Sequence, residues 1–379
     1  MQTRLRRCVL TCTLLSLLLP TQAGIATAAA TPVPAQVATQ RSSLRLAVAN
    51  VREGGLARYR PDMSDASDRD AFARRMFKQK GRVPDVVLLQ EVLGSATKMA
   101  RSLNTHPRSE RTGARYVVAM RPRLRQMRGS CDGPREGQFS TLRGAGILVN
   151  KKTVPKIHGR GNIRTWGRWM PAGRAVIGGS GHGCTEQPWI RLTVKQPGRQ
   201  ARVTRVSNIH VAPTEMKLKN RAVVRVHHRL DALHRKSPSD LRVIGGDFNL
   251  TRCQQDLRAP ERRSCDVRRG HRSLLDAGYR DAVRDRHLTG PSGVVGVGRR
   301  IDFIYTTDRV RASWFDRCYQ AYFVHRHKCG PKRSVFPNEA MFNHCQTRSL
   351  YHGTASASCP PRLFKRYYSD HPILLATVS

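Results

Sequence analysis

The stretch LRVIGGDFN, residues 241–249, decides the fold of this chain. Its first half, 241–245, is a short apolar run, which is typical of a strand buried on both faces. Asp247 and Asn249 follow at a spacing of two, so their side chains point the same way along an extended or tightly turned backbone. Taken alone, GDFN could also be a turn with a capping aspartate. We expect a buried strand that carries an acid and an amide to the edge of a sheet.

Five further segments place acidic, amide or imidazole side chains at or just past the end of an expected strand. They are AVAN ending at Asn50, LLQEV around Glu91, NIHVAP around His210, RRIDFIY around Asp302, and YYSDHP with Asp370 and His371. A seventh segment, the apolar GAGILV (144–149), lies between the second and third. Each is weak alone, because a glutamate can simply end a strand and a histidine can be a satisfied core residue. Their joint occurrence predicts one site at one sheet edge.

Apolar and alternating runs predict strands, and apolar stripes of helical spacing predict helices. Strands are expected at 44–51, 86–89, 116–120, 146–149, 203–209, 241–245, 301–305 and 373–378. Helices are expected at 65–80 and 215–236, with a short one from residue 274, whereas 121–143 and 157–185 read as long connections rich in glycine and arginine. This rhythm predicts an α/β fold with two packed mixed sheets flanked by helices.

The N-terminus has the pattern of a secretory signal peptide. Residues 1–30 begin with arginines, continue with an apolar run over 8–19 and end in small residues. Residues 31–43 are rich in Pro, Thr and Ser and are expected to be disordered, which leaves 44–379 as the catalytic domain. No other long apolar run follows, so we expect a secreted, extracellular monomer without stable membrane insertion.

Export also explains the cysteines. Ten are present and two lie in the signal peptide, so eight remain, an even number that indicates four disulfides in an exported protein. We expect a Cys253–Cys265 bridge from proximity, and Cys131–Cys184 on weaker grounds. The remaining four fall within 318–359, where interspersed histidines leave zinc as an alternative, although their spacing matches no standard zinc pattern.

The charge of the chain indicates a polyanionic partner. Lysine and arginine number 68 against 26 acidic residues, which gives a net charge of +42. A field of that size concentrates polyanions, and nucleic acid is the obvious one. An arginine-favouring genome is the alternative, but it would usually balance arginine with acidic residues.

The acidic and amide residues suit a hard divalent cation. Magnesium binds oxygen ligands and typically uses one or two carboxylates in such sites. Glu91 and Asp370 are the candidate metal ligands, and Asn50 would add an amide oxygen or hold Glu91. We expect magnesium, with manganese or calcium as alternatives.

The histidines and the remaining carboxylates suit hydrolysis of a phosphodiester. His371 could deprotonate water, with Asp302 as the carboxylate that fixes its tautomer. Asp247 and Asn249 would orient water and hold a phosphate oxygen, and His210 could donate to developing charge.

With these motifs, the chain resembles the endonuclease/exonuclease/phosphatase superfamily, which includes pancreatic-type deoxyribonucleases, apurinic endonucleases, secreted sphingomyelinases and inositol-phosphate phosphatases. LLQEV, GGDFN, RRIDFIY and YYSDHP are specific as a set, and the resemblance covers 44–379. It implies a four-layer α/β sandwich and magnesium-dependent phosphoester hydrolysis. It also implies metal binding by Asn50 and Glu91, Asp370 beside the metal, and pairing of Asp302 with His371.

The chain departs from the secreted deoxyribonuclease pattern at one place. NIHVAP resembles the histidine motif of that branch, which often supports the histidine with a glutamate before the middle strand. Here Arg143 stands in that region, and Glu136 lies further upstream. Arg143 would suit direct phosphate contact, although it could equally be a surface arginine.

The resemblance does not fix the substrate, so we use the net charge to decide between the possible substrate classes. The charge favours DNA and leaves RNA open as a further substrate, with the phosphate backbone tracked by arginines at 121–128, 160–174 and 257–269 and with Trp166, Trp169 and Tyr279 nearby in the sequence. The two tryptophans could equally be packing residues. The alternatives are a lipid phosphodiesterase of the sphingomyelinase type and, less favoured, a non-catalytic polyanion-binding protein. Endonucleolytic or exonucleolytic cleavage and base preference are left open.

Overall fold

A computed structural model describes most of the predicted catalytic domain. It covers residues 40–51, 66–78, 83–92, 95–121, 125–127, 137–139, 144–168, 182–211, 216–252, 267–283, 300–316, 371 and 373–379. The predicted signal peptide, Arg143, Asp370, Trp169 and every cysteine of the predicted disulfides except Cys184 lie outside these ranges. Within them, no helix is long and apolar enough to span a membrane.

The first sheet has six strands. In spatial order these are β13 (Val310–Asp316), β14 (Ile373–Val378), β1 (Leu44–Asn50), β2 (Val86–Val92), β6 (Gly144–Asn150) and β3 (Tyr116–Met120). Strands β1 and β2 are parallel, and every other neighbouring pair is antiparallel. The sheet is therefore mixed, as the sequence predicted.

The second sheet has eight strands. Seven lie in the order β11 (Arg280–Asp281), β12 (Asp302–Thr306), β10 (Leu241–Asp247), β9 (Arg202–His210), β8 (His182–Val194), β4 (Arg125–Met127) and β5 (Gly137–Phe139), and β7 (Lys156–Arg168) also pairs with β8. Strands β9 and β10 are parallel, and the other pairs are antiparallel. The second sheet is thus mixed as well.

Alternation along the strands divides the core into three layers of side chains. Val48 and Leu88 point between the sheets and join a cluster with Val243 and Ile304 of the second sheet. The opposite faces of the sheets are covered by helices, which are α1 (Ala66–Met76), α2 (Ala96–Asn104) and α3 (Pro107–Thr112) near the first and α4 (Met216–Lys236) and α5 (Arg269–Asp276) on the second. The predicted four-layer α/β sandwich is confirmed.

The glycine pair of GGDFN allows the layers to meet. A Cβ at Gly245 would lie 3.0 Å from both Leu88 and Val48 of the other sheet, so a side chain there would push the sheets apart. Gly246 has a φ of +142°, and a Cβ there would lie 1.9 Å from the carbonyl oxygen of Ile209. Only glycine suits that backbone region and that clearance. The pair therefore fixes both sheet packing and strand pairing next to Asp247.

The structure corrects the predicted connection at 157–185. Strands β7 and β8, each of 13 residues, pair as a long antiparallel hairpin across much of this region. Glycines at Gly159 and Gly161 interrupt the side-chain alternation that would have signalled β7. Backbone hydrogen bonds to β8, and not a continuous apolar face, hold β7 in the sheet.

Six shorter elements were also missed in the sequence analysis, namely α2, α3, β4, β5, β11 and β13. Strands β4 and β5 lie within 121–143, which was predicted to be a connection. Helix α2 buries Met99 and Leu103 at helical spacing, a signal that its short length obscured. Strand β13 alternates between half-buried and exposed residues from Val310 to Trp314, a period-two signal that the sequence does contain.

Ordered structure also begins before residue 44. Arg41 forms an isolated bridge with Gln200, and the amide of Ser42 donates to the Gln200 carbonyl over 2.9 Å. Ser42 is fully buried. The last residues of the segment that we expected to be disordered, 31–43, are therefore part of the fold.

Candidate active site

Three neighbouring strands of the second sheet place a histidine and two aspartates side by side. Asp247, at the end of β10, is the direct register partner of both His210 on β9 and Asp302 on β12. Register partners project from the same face of a sheet, and here that face is turned toward the first sheet. Strands β9 and β10 end at this edge, whereas the antiparallel β12 begins there.

The first sheet supplies the other half of the site. Asn50 ends β1, Glu91 lies near the end of β2, and His371 lies just before β14. The Asn50 amide nitrogen donates to Glu91 Oε1 over 3.1 Å and to Asp247 Oδ2 over 3.2 Å. These bonds join the two sheets at the seam, so the geometry of the site depends on the alignment of both.

Glu91 reaches the site through a local break in the strand pattern. Gln90 points between the sheets and Leu89 toward the helices, so regular alternation would turn Glu91 away from the site. Instead, the pairing of β2 with β6 shifts between Leu89 and Val92, and Glu91 adopts a φ of +54°. Bulges of this kind re-aim side chains. A non-glycine residue in the left-handed region costs about 1–2 kcal/mol.

The GDFN turn positions Asp247 with a second positive φ. The Asn249 backbone, at φ +46°, donates its N–H to Asp247 Oδ1 over 2.7 Å. The side-chain nitrogen Nδ2 of Asn249 donates to the Val211 carbonyl at 2.8 Å and to Asp247 Oδ2 at 3.2 Å. The expectation that Asp247 and Asn249 point the same way agrees with this geometry.

Asp302 and His371 form a buried pair. Asp302 Oδ2 lies 2.7 Å from His371 Nδ1, and both side chains are almost fully buried. With the carboxylate ionised, Nδ1 carries the proton and donates, which leaves Nε2 as an acceptor. Nε2 lies 3.9 Å from Asp247 Oδ2, so one water molecule could contact both atoms.

His210 faces the carboxylates of Glu91 and Asp247, and it approaches Asp247 from the side opposite to His371. Its Nε2 lies 3.9 Å from Glu91 Oε1 and 3.9 Å from Asp247 Oδ2. Gln187 holds the His210 backbone, because its Oε1 accepts the His210 N–H at 2.6 Å and its Nε2 donates to the His210 carbonyl at 2.9 Å. Asp247 is thus the centre on which both histidines converge.

The electrostatics of the site fit a bound cation. Burial, together with the neighbouring Asp302 carboxylate, raises the pKa of Asp247 to about 8. Such a shift means that negative charge is costly here, and a divalent cation would offset it. Donor atoms of Glu91, His210 and Asp247 lie within 4.8 Å of one another, as do those of Asp247, Asp302 and His371.

The donor atoms therefore suit magnesium, but the ligand set differs from the predicted one of Asn50, Glu91 and Asp370. Carboxylate oxygens of Glu91 and Asp247 are hard ligands of the kind that magnesium prefers. Asn50 presents its nitrogen to both carboxylates, so it would bind a cation only after its amide turned over to present Oδ1. Asp370 lies outside the described residues, and its predicted role as a metal ligand stays a prediction.

A polar layer that the sequence reading missed lies directly beneath the site. Gln90 Nε2 donates to Asn208 Oδ1 at 2.6 Å, and Asn208 Nδ2 donates to the carbonyls of Leu89 and Gly146 at 2.8 and 2.9 Å. Asn208 therefore spans from the second sheet to the first. Both side chains belong to motifs already noticed, and strand alternation from Asn50 and His210 would have placed them inside.

One residue proposed to contact nucleic acid does not reach solvent. Tyr279 is 1% exposed, its ring stands edge-on to His227, and the Arg242 guanidinium lies over it. Its predicted role beside a phosphate backbone is wrong, because the turn from α5 to β11 packs it into the core between α4 and the second sheet. Arg160 lies exposed on β7, and Arg164 lies 3.9 Å from Glu186. Trp166 is part of β7, but its side chain is not described.

Comparison with known proteins gives a family match over most of the chain. Residues 47–371 match the model described as the Endonuclease/Exonuclease/phosphatase family. A search of curated protein sequences gives no match.

Solved structures with similar folds come from bacteria and from human. An endonuclease/exonuclease/phosphatase from Bacteroides vulgatus is 13% identical, with 89% of this chain and 99% of that chain covered and a TM-score of 0.47. A family protein from Leptotrichia buccalis is 12% identical over 89% and 99% of the chains, with a TM-score of 0.48. The human Nocturnin catalytic domain with bound sulfate is 13% identical over 90% and 95%, with a TM-score of 0.45.

Proposed function

The chain belongs to the endonuclease/exonuclease/phosphatase family, whose members are metal-dependent hydrolases of phosphoester bonds, and we propose that it is a secreted, magnesium-dependent endonuclease that cleaves DNA. The proposal of hydrolysis rests on the convergence of His210, Asp302 and His371 on the buried Asp247. The choice of a nucleic-acid substrate rests on the net charge of +42. The proposed secretion rests on the signal-peptide pattern of residues 1–30.

The side chains divide the reaction between them. His371, held through Nδ1 by Asp302, accepts a proton at Nε2 from an attacking water. Asp247 accepts a hydrogen bond from the same water and so fixes its direction of attack. His210 donates from the other side to the phosphate or the leaving oxygen. Asn249 orients Asp247 through its backbone N–H, and its side-chain Nδ2 donates to a phosphate oxygen once it releases Asp247 Oδ2.

A divalent cation completes this chemistry. Glu91 and Asp247 would hold it, with Asn50 and Asp370 as further ligands. When bound, it supplies charge neutralisation at the phosphate and the leaving oxygen. Asn50 also positions the carboxylates of Glu91 and Asp247 by donating a hydrogen bond to each.

Surface chemistry supports nucleic acid over a lipid substrate. An enzyme that works on a membrane needs exposed apolar side chains to enter the headgroup region. In the described ranges, Met216 is the only large hydrophobic side chain that is exposed, at 38%. The described part of the surface is therefore basic and nearly free of exposed apolar side chains, which suits a phosphate backbone better than a lipid headgroup; the candidate apolar segments 290–298 and 318–359 lie outside the described residues.

The test is cleavage of supercoiled plasmid by the mature protein in magnesium, beside the same reaction in EDTA. Release of phosphocholine from sphingomyelin is measured in parallel. We expect magnesium-dependent nicking, which requires internal cleavage, and no lipid hydrolysis. Lipid hydrolysis with intact plasmid would replace the proposal by a phospholipid phosphodiesterase, and DNA binding without either hydrolysis would indicate a non-catalytic protein.

A further inference from the structure

The outward face of helix α4 carries an excess of positive charge. Its 21 residues include seven lysines and arginines and a single aspartate. That aspartate, Asp231, forms an ion pair with Arg242, and its Oδ2 lies 2.7 Å from Nε2 of His227. The basic residues of α4 are therefore not balanced by the acid on their own helix.

The spacing of these residues concentrates the charge in a row. Lys217, Arg221, Arg225 and Arg229 recur every four residues, which places them about 6 Å apart along the helix. Like charges at this spacing repel one another and destabilise the helix. A row of this kind therefore works against stability of the fold, and a ligand of opposite charge would compensate for it.

Packing turns this row toward solvent. The opposite stripe of α4, with Ala222, Val226 and Leu230, is buried against the second sheet. Lys217, Arg221 and Arg229 are exposed. No ion pair joins these three to another residue within the described part of the chain.

Helix α5 extends the charged surface beside α4. The backbone N–H of Gly270 donates to Asn220 Oδ1 at 2.7 Å, and a Cβ at Gly270 would lie 3.1 Å from Val223. Arg269 and Arg221 are both exposed, and each adjoins one partner of that hydrogen bond in the sequence, so both belong to the surface that α4 and α5 form together. We define the basic face as Lys217, Arg221, Arg229 and Arg269.

Chain topology connects the basic face to the active-site edge. Strand β9 ends in the site at His210, and β10, parallel to it, begins at the opposite edge with Leu241. Helix α4 is the return path between these two points, and its 21 residues span about 30 Å. The basic face therefore starts near the site edge and runs away from it across the outside of the sandwich.

We propose that the basic face is a second binding surface for double-stranded DNA, which holds the phosphate backbone outside the active site and without regard to base sequence. This proposal rests on the nuclease function proposed above. Three exposed cations along a rigid helix, with a fourth on the neighbouring helix α5, match the regular negative charge of a duplex. A membrane surface fits less well, because the apolar stripe of α4 is buried in the fold.

The test measures the salt dependence of affinity for a 30-base-pair duplex, in EDTA so that no hydrolysis occurs. The variant K217Q/R221Q/R229Q removes three charges from the basic face. Its matched control, K98Q/R101Q/R111Q, removes three exposed charges from α2 and α3 on the other side of the sandwich. Glutamine is a good helix former, so both variants should melt close to the wild-type temperature.

We expect the slope of log affinity against log salt to shrink by about 2.7 in the basic-face variant, which corresponds to three lost phosphate contacts at about 0.9 each. The control should keep the wild-type slope. Equal slopes for the two variants, or a wild type that does not bind duplex, would overturn the proposal.

Two further outcomes separate this proposal from the proposed function. If the wild type nicks plasmid but the basic-face variant keeps its slope, the second surface is wrong and the nuclease stands. If the slope shrinks as expected but no phosphodiester is cleaved, the surface stands and the nuclease is wrong. If the basic-face variant lost binding to phosphatidylserine vesicles but kept the wild-type salt dependence of DNA affinity, the basic face would be a lipid-binding surface and the proposal would be contradicted.

Discussion

Glu91 shows how a single residue can oppose fold stability for the sake of a site. Its φ of +54° is unfavourable for any side chain, yet this conformation directs the carboxylate toward Asn50 and His210. A regular strand would have pointed it at the helical layer. Strain held at a functional position is expected where the surrounding structure over-determines it.

This strain can be measured by comparing Glu91→Gly with Glu91→Ala. Both variants lose the carboxylate, so both should lose hydrolysis, but only glycine accepts the positive φ without cost. We expect Glu91→Gly to be more stable than Glu91→Ala by about 1 kcal/mol in urea unfolding with EDTA. The reverse order, which is usual for an ordinary strand position, would show that the backbone at residue 91 is not strained.

His271 is a buried neutral histidine that supports the GDFN turn from behind. It is fully buried and stacks on Phe248. Its Nε2 lies 3.0 Å from the Leu250 carbonyl, which can only accept, so Nε2 carries the proton and Nδ1 accepts from the Tyr305 hydroxyl at 2.8 Å. Burial lowers the pKa of His271 to about 3.

This shift predicts a pH dependence of stability. Between pH 6.5 and 3 the unfolded chain binds a proton at His271 that the folded protein does not, so stability falls as the pH falls. The stability advantage of wild type over His271→Gln should therefore shrink by about 2 kcal/mol from pH 7 to pH 5, at about 1.4 kcal/mol per pH unit. Urea unfolding of both proteins at the two pH values measures it. A constant difference would mean that folding does not lower the pKa of His271.

At the scale of elements, the decisive feature is that the site is shared by two sheets. Asn50 and Glu91 come from the first sheet, and His210, Asp247 and Asp302 come from the second. The buried Asn208 joins the sheets one layer below, through the carbonyls of Leu89 and Gly146. Alignment of the sheets is therefore part of the chemistry.

Asn208→Leu tests this coupling. The substitution keeps the branched shape of the side chain but leaves two buried carbonyls and the Gln90 amide without their partner, so we expect a loss of about 3 kcal/mol of stability. Hydrolysis should also slow at saturating substrate, because the two halves of the site lose their alignment. Thr204→Val is the control, since this residue is buried on the same strand and its hydroxyl makes no hydrogen bond among the described residues. Equal effects of the two substitutions would contradict the coupling.

How far the sequence predicts the structure also depends on the kind of element. Strands such as β10 and helices such as α4 have strong apolar patterns, and the polar residues at strand ends could be grouped into one site from their order alone. The β7–β8 hairpin could not be predicted, because pairing partners and not side-chain pattern stabilise it. Nor does alternation predict the position of Glu91, since a bulge and a positive φ reverse its direction.

At the scale of the whole molecule, charge and topology act together. The chain carries a net charge of +42, whereas three carboxylates, of Glu91, Asp247 and Asp302, meet at the buried seam between the sheets. Under the proposed function, the overall positive charge would attract a polyanion and the acidic seam would hold the cation at the reacting phosphate.

This arrangement predicts that DNA cleavage is strongly salt-dependent. Counterion release makes affinity fall as a power of salt concentration, so the rate at subsaturating DNA should drop by at least about 10-fold between 50 and 200 mM salt. Initial nicking rates across a salt series at fixed magnesium give the measurement. A flat profile would remove the net charge from the explanation of substrate choice.

The central claim is that residues from both sheets form one phosphodiester-cleaving centre, and plasmid nicking by His371→Ala in magnesium tests it most directly. The variant removes the imidazole that pairs with Asp302, so we predict a fall in rate of about 10²–10⁴-fold, with DNA affinity and folding unchanged. If His371→Ala nicks plasmid at the wild-type rate, the assignment of this centre is wrong.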